Sequence, residues 1–235
     1  HVDALYHGEP DGWFTDRSEL VALPAPKPGY AATWTDYDDD GDLDLYVVSD
    51  HHTVNDLWRN DGPAPGDPGG GAWRFTNVSE PSGAGLSADA MGIAVGDYDE
   101  DGDLDLFTSD IHRTNLLRND LYGGPGRGLP GFTEVAAEAG VNHDSSNWGA
   151  VWLDADLDGW LDLYLATQNS SPPELTNRLF RGRGDGTFDD VSAECGCADP
   201  SFTTGVAVGD YDRDGAMDIV VGNYGEGHRL YRNQL

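Results

Sequence analysis

Short apolar runs recur along the whole chain, and each is closed by a cluster of Gly, Asp, Asn or Pro. Runs of this length between turn residues predict β-strands. No window sustains a helical period, and only residues 134–139 hold enough for about one turn. The longest apolar runs, such as residues 45–48, are strand-sized. None nears the roughly 20 residues that a membrane-crossing helix needs, so a soluble all-β chain is expected.

The strands come in a fixed order. A small, apolar first strand is predicted at residues 30–35, 91–96, 148–153 and 204–209, and a strongly apolar second one at 43–48 and 217–221. A third carries Leu, then an aromatic residue or Leu, then Arg, at 57–60, 116–119, 179–182 and 230–233. A fourth opens on Phe at 75–78, 132–135 and 188–191. Between the first two stands a nine-residue loop, at 36–44, 97–105, 154–162 and 210–218, whose starts lie 61, 57 and 56 residues apart. A period of this size signals one supersecondary unit per repeat. Four short antiparallel strands per unit predict β-propeller blades, with residues 1–235 as a single domain. Gly- and Pro-rich insertions at 60–72 and 119–131 read as surface loops.

The ends bear on closure. Residues 4–9 and 13–18 look like the third and fourth strands of a unit lacking its first half, and the last unit stops after its third strand. Residues 13–18 could supply that missing strand, closing a ring and removing open edges. Both ends hold a third strand, so simple closure leaves one redundant. The expectation is a fragment of a larger propeller, with a compact four-bladed ring as the alternative.

The loops carry the chemistry. Each reads Asp-x-Asp-x-Asp-Gly-x-x-Asp, a spacing that converges carboxylates on one point because the glycine lets the backbone turn sharply. The candidate side-chain ligands are Asp36, Asp38, Asp40 and Asp44; Asp97, Asp99, Asp101 and Asp105; Asp154, Asp156, Asp158 and Asp162; Asp210, Asp212, Asp214 and Asp218. Position seven, held by Asp42, Asp103, Trp160 and Ala216, would add a backbone carbonyl. An all-oxygen, carboxylate-rich, flexible cage suits Ca2+ over zinc or copper, with Mg2+ second. About four ions are expected. Acidic β-turns are the plain alternative, but four in-register copies packed without cations would repel strongly. An EF-hand is excluded, because its twelfth-position Glu is replaced by Val47, Thr108, Leu165 and Val221.

These loops with their flanking strands resemble tandem FG-GAP/VCBS repeats, similar to those of integrin α-subunit propellers and of secreted proteins resembling cartilage acidic protein. The resemblance implies a propeller, usually of seven blades, with calcium between the first two strands of a blade and an extracellular adhesion or scaffold role. Only four loops are present here, and nothing resembles an integrin's membrane anchor.

Composition sharpens this picture. With 13 Lys plus Arg against 43 Asp plus Glu, the formal charge is -30. Such a field repels phosphate backbones and anionic lipid, arguing against nucleic acid and membrane insertion. Disorder is opposed by seven Trp, ten Tyr and seven Phe at recurring positions. High-salt adaptation is a second source of acidity, and Lys27 as the sole lysine fits it. Cys195 and Cys197 are expected to be unpaired turn thiols, ahead of a small ring, a redox pair or half a metal site. His51, His52 and His112 follow second strands of successive units; they could share one face and bind a transition metal, although exposed loop histidines are the plainer reading. His1, if a mature N-terminus, could chelate copper. Asn77 and Asn169 match the N-glycosylation pattern. No catalytic constellation stands out. The expected function is an extracellular binding or assembly module whose partner is a protein, a glycan, or other copies or blades of the same assembly. A carbohydrate-binding or lyase-like propeller, stacking sugars on Trp13, Trp73 or Trp148, is the rival.

Overall fold

Side chains of a β-strand point alternately to its two faces, so strands apolar on both faces must be covered on both. That requirement decides the architecture. A computed structural model describes residues 4–19, 27–63, 65–66, 73–121, 131–168 and 176–235. A hairpin, β1 (Tyr6–Gly8) and β2 (Phe14–Asp16), comes first. The first blade follows: β3 (Gly29–Thr35), β4 (Asp44–Ser49), the outlying β5 (Thr53–Val54), β6 (Asp56–Pro63) and β7 (Trp73–Asn77). After β8 (Ser87–Ala88), which pairs with β5, the second blade is β9 (Ala90–Gly96), β10 (Asp105–Asp110), β11 (Asn115–Asn119) and β12 (Phe132–Glu134). One helical turn, α1 (Ala136–Ala139), leads to the third: β13 (Asn147–Leu153), β14 (Asp162–Thr167), β15 (Arg178–Gly182) and β16 (Phe188–Asp190). The fourth has β17 (Thr203–Gly209), β18 (Asp218–Asn223) and β19 (Arg229–Tyr231). Each blade is an antiparallel meander in chain order, as the repeat predicts.

The second strands form the hydrophobic backbone of the array. In β10, Leu106 turns to the first blade, packing with Tyr46, Leu57 and Leu117, while Phe107 turns to the third, packing with Leu163, Leu165 and Phe180. In β14, Leu163 and Leu165 face back and Tyr164 faces forward onto Ile219 and Val221. All of these side chains except Phe180 and Ile219 are fully buried. Each contributes about 1.5–3 kcal/mol by leaving water. Four blades thus make three apolar interfaces. At the two ends the faces stay open: Trp34 is 45% exposed on the first blade, and Val220 and Leu230 are 43% and 53% exposed on the fourth.

Ring closure by residues 13–18 does not occur among the described residues. β2 pairs with β1, setting Tyr6 opposite Asp16, and β19 keeps β18 as its one strand partner. A hairpin closed over a few residues costs far less chain entropy than closure around a ring. Among the described residues, no strand of the fourth blade pairs with the first blade or with the N-terminal hairpin. Of the predicted insertions, residues 61–63 extend β6, whereas 64, 67–72 and 122–130 lie outside the described residues. His1 and Asn169 lie outside them too. Asn77 is described, and its side chain is already spent on Asp56, Ser79 and the Ser79 backbone.

Cys195 and Cys197 are not the unpaired turn thiols expected from their spacing. They form a disulfide, with Cα atoms 5.3 Å apart. Gly196 between them has φ +69°, a left-handed turn that folds the chain back far enough for the sulfurs to meet.

Candidate metal centres

Each aspartate loop leaves a first strand and enters a second, and one hydrogen-bond scheme shapes all four. The first Asp caps the turn: Asp36 accepts from the N–H of Asp40 and Gly41, and Asp97, Asp154 and Asp210 accept from the corresponding N–H pairs. The fifth-position Asp40, Asp101, Asp158 and Asp214 each accept from the N–H of position seven. Glycine at position six has φ between +89° and +98°, with no atom near a would-be Cβ, so conformation rather than space demands it. Position four is also left-handed, in Asp39, Glu100, Leu157 and Arg213, which the sequence does not announce.

The ninth-position Asp has a second role that spacing alone does not reveal. Asp44 accepts from Tyr37 N at 3.2 Å and from Asn60 N at 2.7 Å, tying the loop to its own third strand. Asp105, Asp162 and Asp218 repeat this pair of bonds. All four are buried. Loss of solvent pushes the carboxyl of Asp44 up to about 7, Asp105 to about 8 and Asp162 to about 6, against the pull of the backbone N–H groups.

Carboxylates converge in every loop. Oxygens of Asp36, Asp38 and Asp40 lie within 4.8 Å of one another, as do those of Asp97, Asp99 and Asp101; of Asp154, Asp156 and Asp162; and of Asp210, Asp212 and Asp218. Asp38 Oδ1 and Asp99 Oδ1 are shut off from solvent with no hydrogen-bond partner. Burial, then the neighbouring Asp40 and Asp101, drives both carboxyls above their ordinary value, although Arg59 and Arg118 pull the other way. A buried, unpaired, anionic oxygen among like charges is costly unless a cation sits beside it. The donor set is all oxygen, so these residues fit a hard divalent cation.

The loops also reach the next blade. Tyr37, at position two, stacks on Phe132, and Tyr98 stacks on Trp152 and Phe188. Asn119 Nδ2 donates to Tyr37 O, and Asn233 Nδ2 to Ala155 O, each at 2.7 Å. In the third blade Gly182 stands where the Asn would be, because a Cβ there would meet Leu161 O at 2.4 Å. Loop shape and blade packing are therefore one mechanical unit.

The fourth loop differs. Arg59 and Arg118 are held by Asp61 and Asp120, two residues along. Arg232 has Gln234 at that place, and its guanidinium lies on Asp212 at 2.6 Å and Asp214 at 2.9 Å.

Asp44, Asp105 and Asp162 have folded values above the ordinary 3.8, so between about pH 8 and 4 the folded state binds more protons than the unfolded one. These three carboxyls raise stability as pH falls through this window, opposed by the single ring of His143, which burial holds below its ordinary value. The ion-free protein is expected to melt higher at about pH 5.5 than at about pH 8, and a lower melting point at pH 5.5 refutes it.

Of the other candidates, His52 and His112 stack on each other with ring centroids 5.7 Å apart, whereas His51 turns to Asp50. Trp13 is 75% exposed, but Trp148 is partly buried between Tyr30 and Phe202. No helix among the described residues is long and apolar enough to cross a membrane.

The FG-GAP-like repeat family matches residues 36–108 and 154–221, and both stretches begin on the first Asp of a loop. Cartilage acidic protein 1 of Homo sapiens is 40% identical over 106 residues, which is 45% of this chain and 15% of that protein. The Mus musculus protein of the same name is 38% identical over 106 residues, 45% of this chain and 16% of its own length. The chain thus spans only a small part of these relatives.

Proposed function

This chain belongs to the FG-GAP-like repeat family, and from that premise we propose that it is a calcium-stabilised, extracellular propeller module that binds or assembles partners without catalysis. The observation that carries the calcium reading is the pair of buried, unpartnered oxygens on Asp38 and Asp99, each inside a converging aspartate cluster. Carboxylates of positions one, three, five and nine would hold the ion, with the carbonyls of Asp42, Asp103, Trp160 and Ala216 completing an oxygen cage. An ion held there would neutralise the clusters and fix loops that are bonded to the next blade. Four ions would bring the formal charge from -30 to -22. The extracellular assignment rests on the family, on the likeness to cartilage acidic protein 1, and on the disulfide, which oxidising compartments favour.

A carbohydrate-binding reading has one specific support. Tyr30, Trp148, Phe202 and Tyr224 form a chain of ring contacts at 6.0, 5.8 and 5.5 Å, open to solvent at Tyr30 and Tyr224. Such a strip suits stacking on sugars. Binding on a glycan array that is lost in Tyr224→Ala would favour it over a purely protein partner.

Calorimetric titration tests the calcium reading. About four binding events are expected, with Mg2+ weaker. The fourth loop should bind most weakly, because Arg232 must leave Asp212 and Asp214. Arg232→Gln should tighten that site modestly, by a few-fold at most, since an exposed ion pair is weak and screened by solvent. No heat of binding in the wild-type protein refutes the reading.

A further inference from the structure

We propose that His52, Asp89 and His112 form a transition-metal site, distinct from the aspartate loops, that cross-links the first and second blades. The three come from different places and are brought together by sheet register. His52 lies after β4, and the pairing of β5 with β8, Thr53 opposite Ala88, sets it beside Asp89. His112 follows β10 of the second blade. His52 Nδ1 lies 3.0 Å and His112 Nε2 lies 3.2 Å from the same oxygen, Asp89 Oδ2, and all three atoms lie within 4.8 Å of one another.

These separations suit a shared ion. Zinc binds imidazole nitrogen and carboxylate oxygen at about 2.0–2.2 Å in tetrahedral geometry, which places neighbouring ligand atoms roughly 3.3 Å apart. Two imidazoles and one carboxylate are a donor set for Zn2+ and its transition-metal neighbours rather than for calcium. The site also sits at the opposite end of β4 and β10 from the loops, about 20 Å away for six residues at 3.3 Å each.

The surrounding bonds hold the ligands in place. Asp89 is buried, and its other oxygen, Oδ1, accepts from His52 N at 2.6 Å, which leaves Oδ2 for the two rings. Asp110 accepts from Asp89 N at 3.0 Å and from His112 N at 2.8 Å. Ser87 Oγ donates to His52 O at 2.6 Å. His51 and His52 both stand at positive φ, 58° and 54°, a backbone that costs energy for non-glycine residues and that aims the second ring at Asp89. The imidazoles are 73% and 64% exposed, so an ion has free entry and the fourth coordination position faces solvent. Zinc there would bind a blade-one residue and two blade-two residues at once.

The test uses the whole chain with saturating calcium, so that the aspartate loops are filled, and Zn2+ as probe in a calorimetric titration. One zinc per chain is expected. His52→Asn removes the ring while keeping a residue that tolerates positive φ, and His112→Ala removes the other; each should weaken zinc by more than about a hundredfold. His51→Asn should leave the affinity unchanged. Asp110→Asn, which disturbs only the supporting bonds, should cost roughly 10- to 100-fold. In the wild-type protein, bound zinc should also protect His52 and His112, but not His51, from carbethoxylation. Co2+ in place of zinc should give the visible absorption of tetrahedral cobalt. Absence of zinc binding, zinc affinity equal in His52→Asn and wild type, or equal reactivity of the three histidines with and without zinc would each overturn the proposal.

Discussion

Stripping calcium with a chelator is expected to lower the melting temperature by roughly 20 °C or more. A ligand that binds only the folded state at a hundred times its dissociation constant stabilises by about 2.7 kcal/mol, so four sites contribute about 11 kcal/mol. The net stability of a domain is typically about 5–15 kcal/mol, so the ions would supply much of it. The structure shows why the loss would spread. Without a cation, Asp38 and Asp99 keep a buried, unpaired oxygen among like charges, and the loops carrying them hold Tyr37 and Tyr98 in the blade interfaces. Loosening the first loop loosens Asn119 on Tyr37 O, and loosening the third frees Asn233 from Ala155 O. Scanning calorimetry with calcium and with chelator decides it. Melting points that agree within about 2 °C would sink the structural role of the ion.

Much of this was legible in the sequence, for a physical reason: a repeat must bury the same faces and turn the same corners every time. The first strands predicted at 91–96 and 204–209 are found at Ala90–Gly96 and Thr203–Gly209, and the single turn of helix at Ala136–Ala139. The family reading from the loops holds as well. What the repeat does not encode stayed hidden. Leu43, placed in a second strand by its apolarity, lies in the loop just before β4 and is 55% exposed. The ring closure failed because β1 lies nearer to β2 in sequence than any other strand edge. Nothing in the Cys-Gly-Cys spacing fixes the φ of Gly196. Nor does the motif separate His52, which meets Asp89 through the β5–β8 pairing, from His51 beside it. The clue available in advance was only that His52 and His112 follow equivalent strands of neighbouring units.

Asp105→Ala is expected to destabilise the protein with or without calcium, and this separates the ninth-position Asp from a mere ligand. Its two oxygens accept the N–H of Tyr98 at 3.1 Å and of Asn119 at 2.8 Å, both in buried surroundings. Alanine leaves both donors unpartnered, at about 1–3 kcal/mol each. In the ion-free state at neutral pH, burial holds this carboxyl largely protonated by raising it to about 8, and removing the group relieves the cost of that proton uptake, which offsets part of the loss. Asp105→Asn keeps one acceptor and should fall between alanine and wild type. Asp101→Ala is the comparison: Asp101 is exposed and accepts one bond, from Asp103 N, so its loss should cost about 1 kcal/mol or less without calcium and considerably more with it. Denaturant unfolding in both conditions, with an osmolyte added to keep the ion-free state folded, reads the two separately. If Asp105→Ala unfolds at the wild-type midpoint in chelator, the carboxylate is a ligand only. If it unfolds early in both conditions, the loop and the third strand are joined by this side chain before any ion arrives, and calcium tightens a corner that the backbone has already turned.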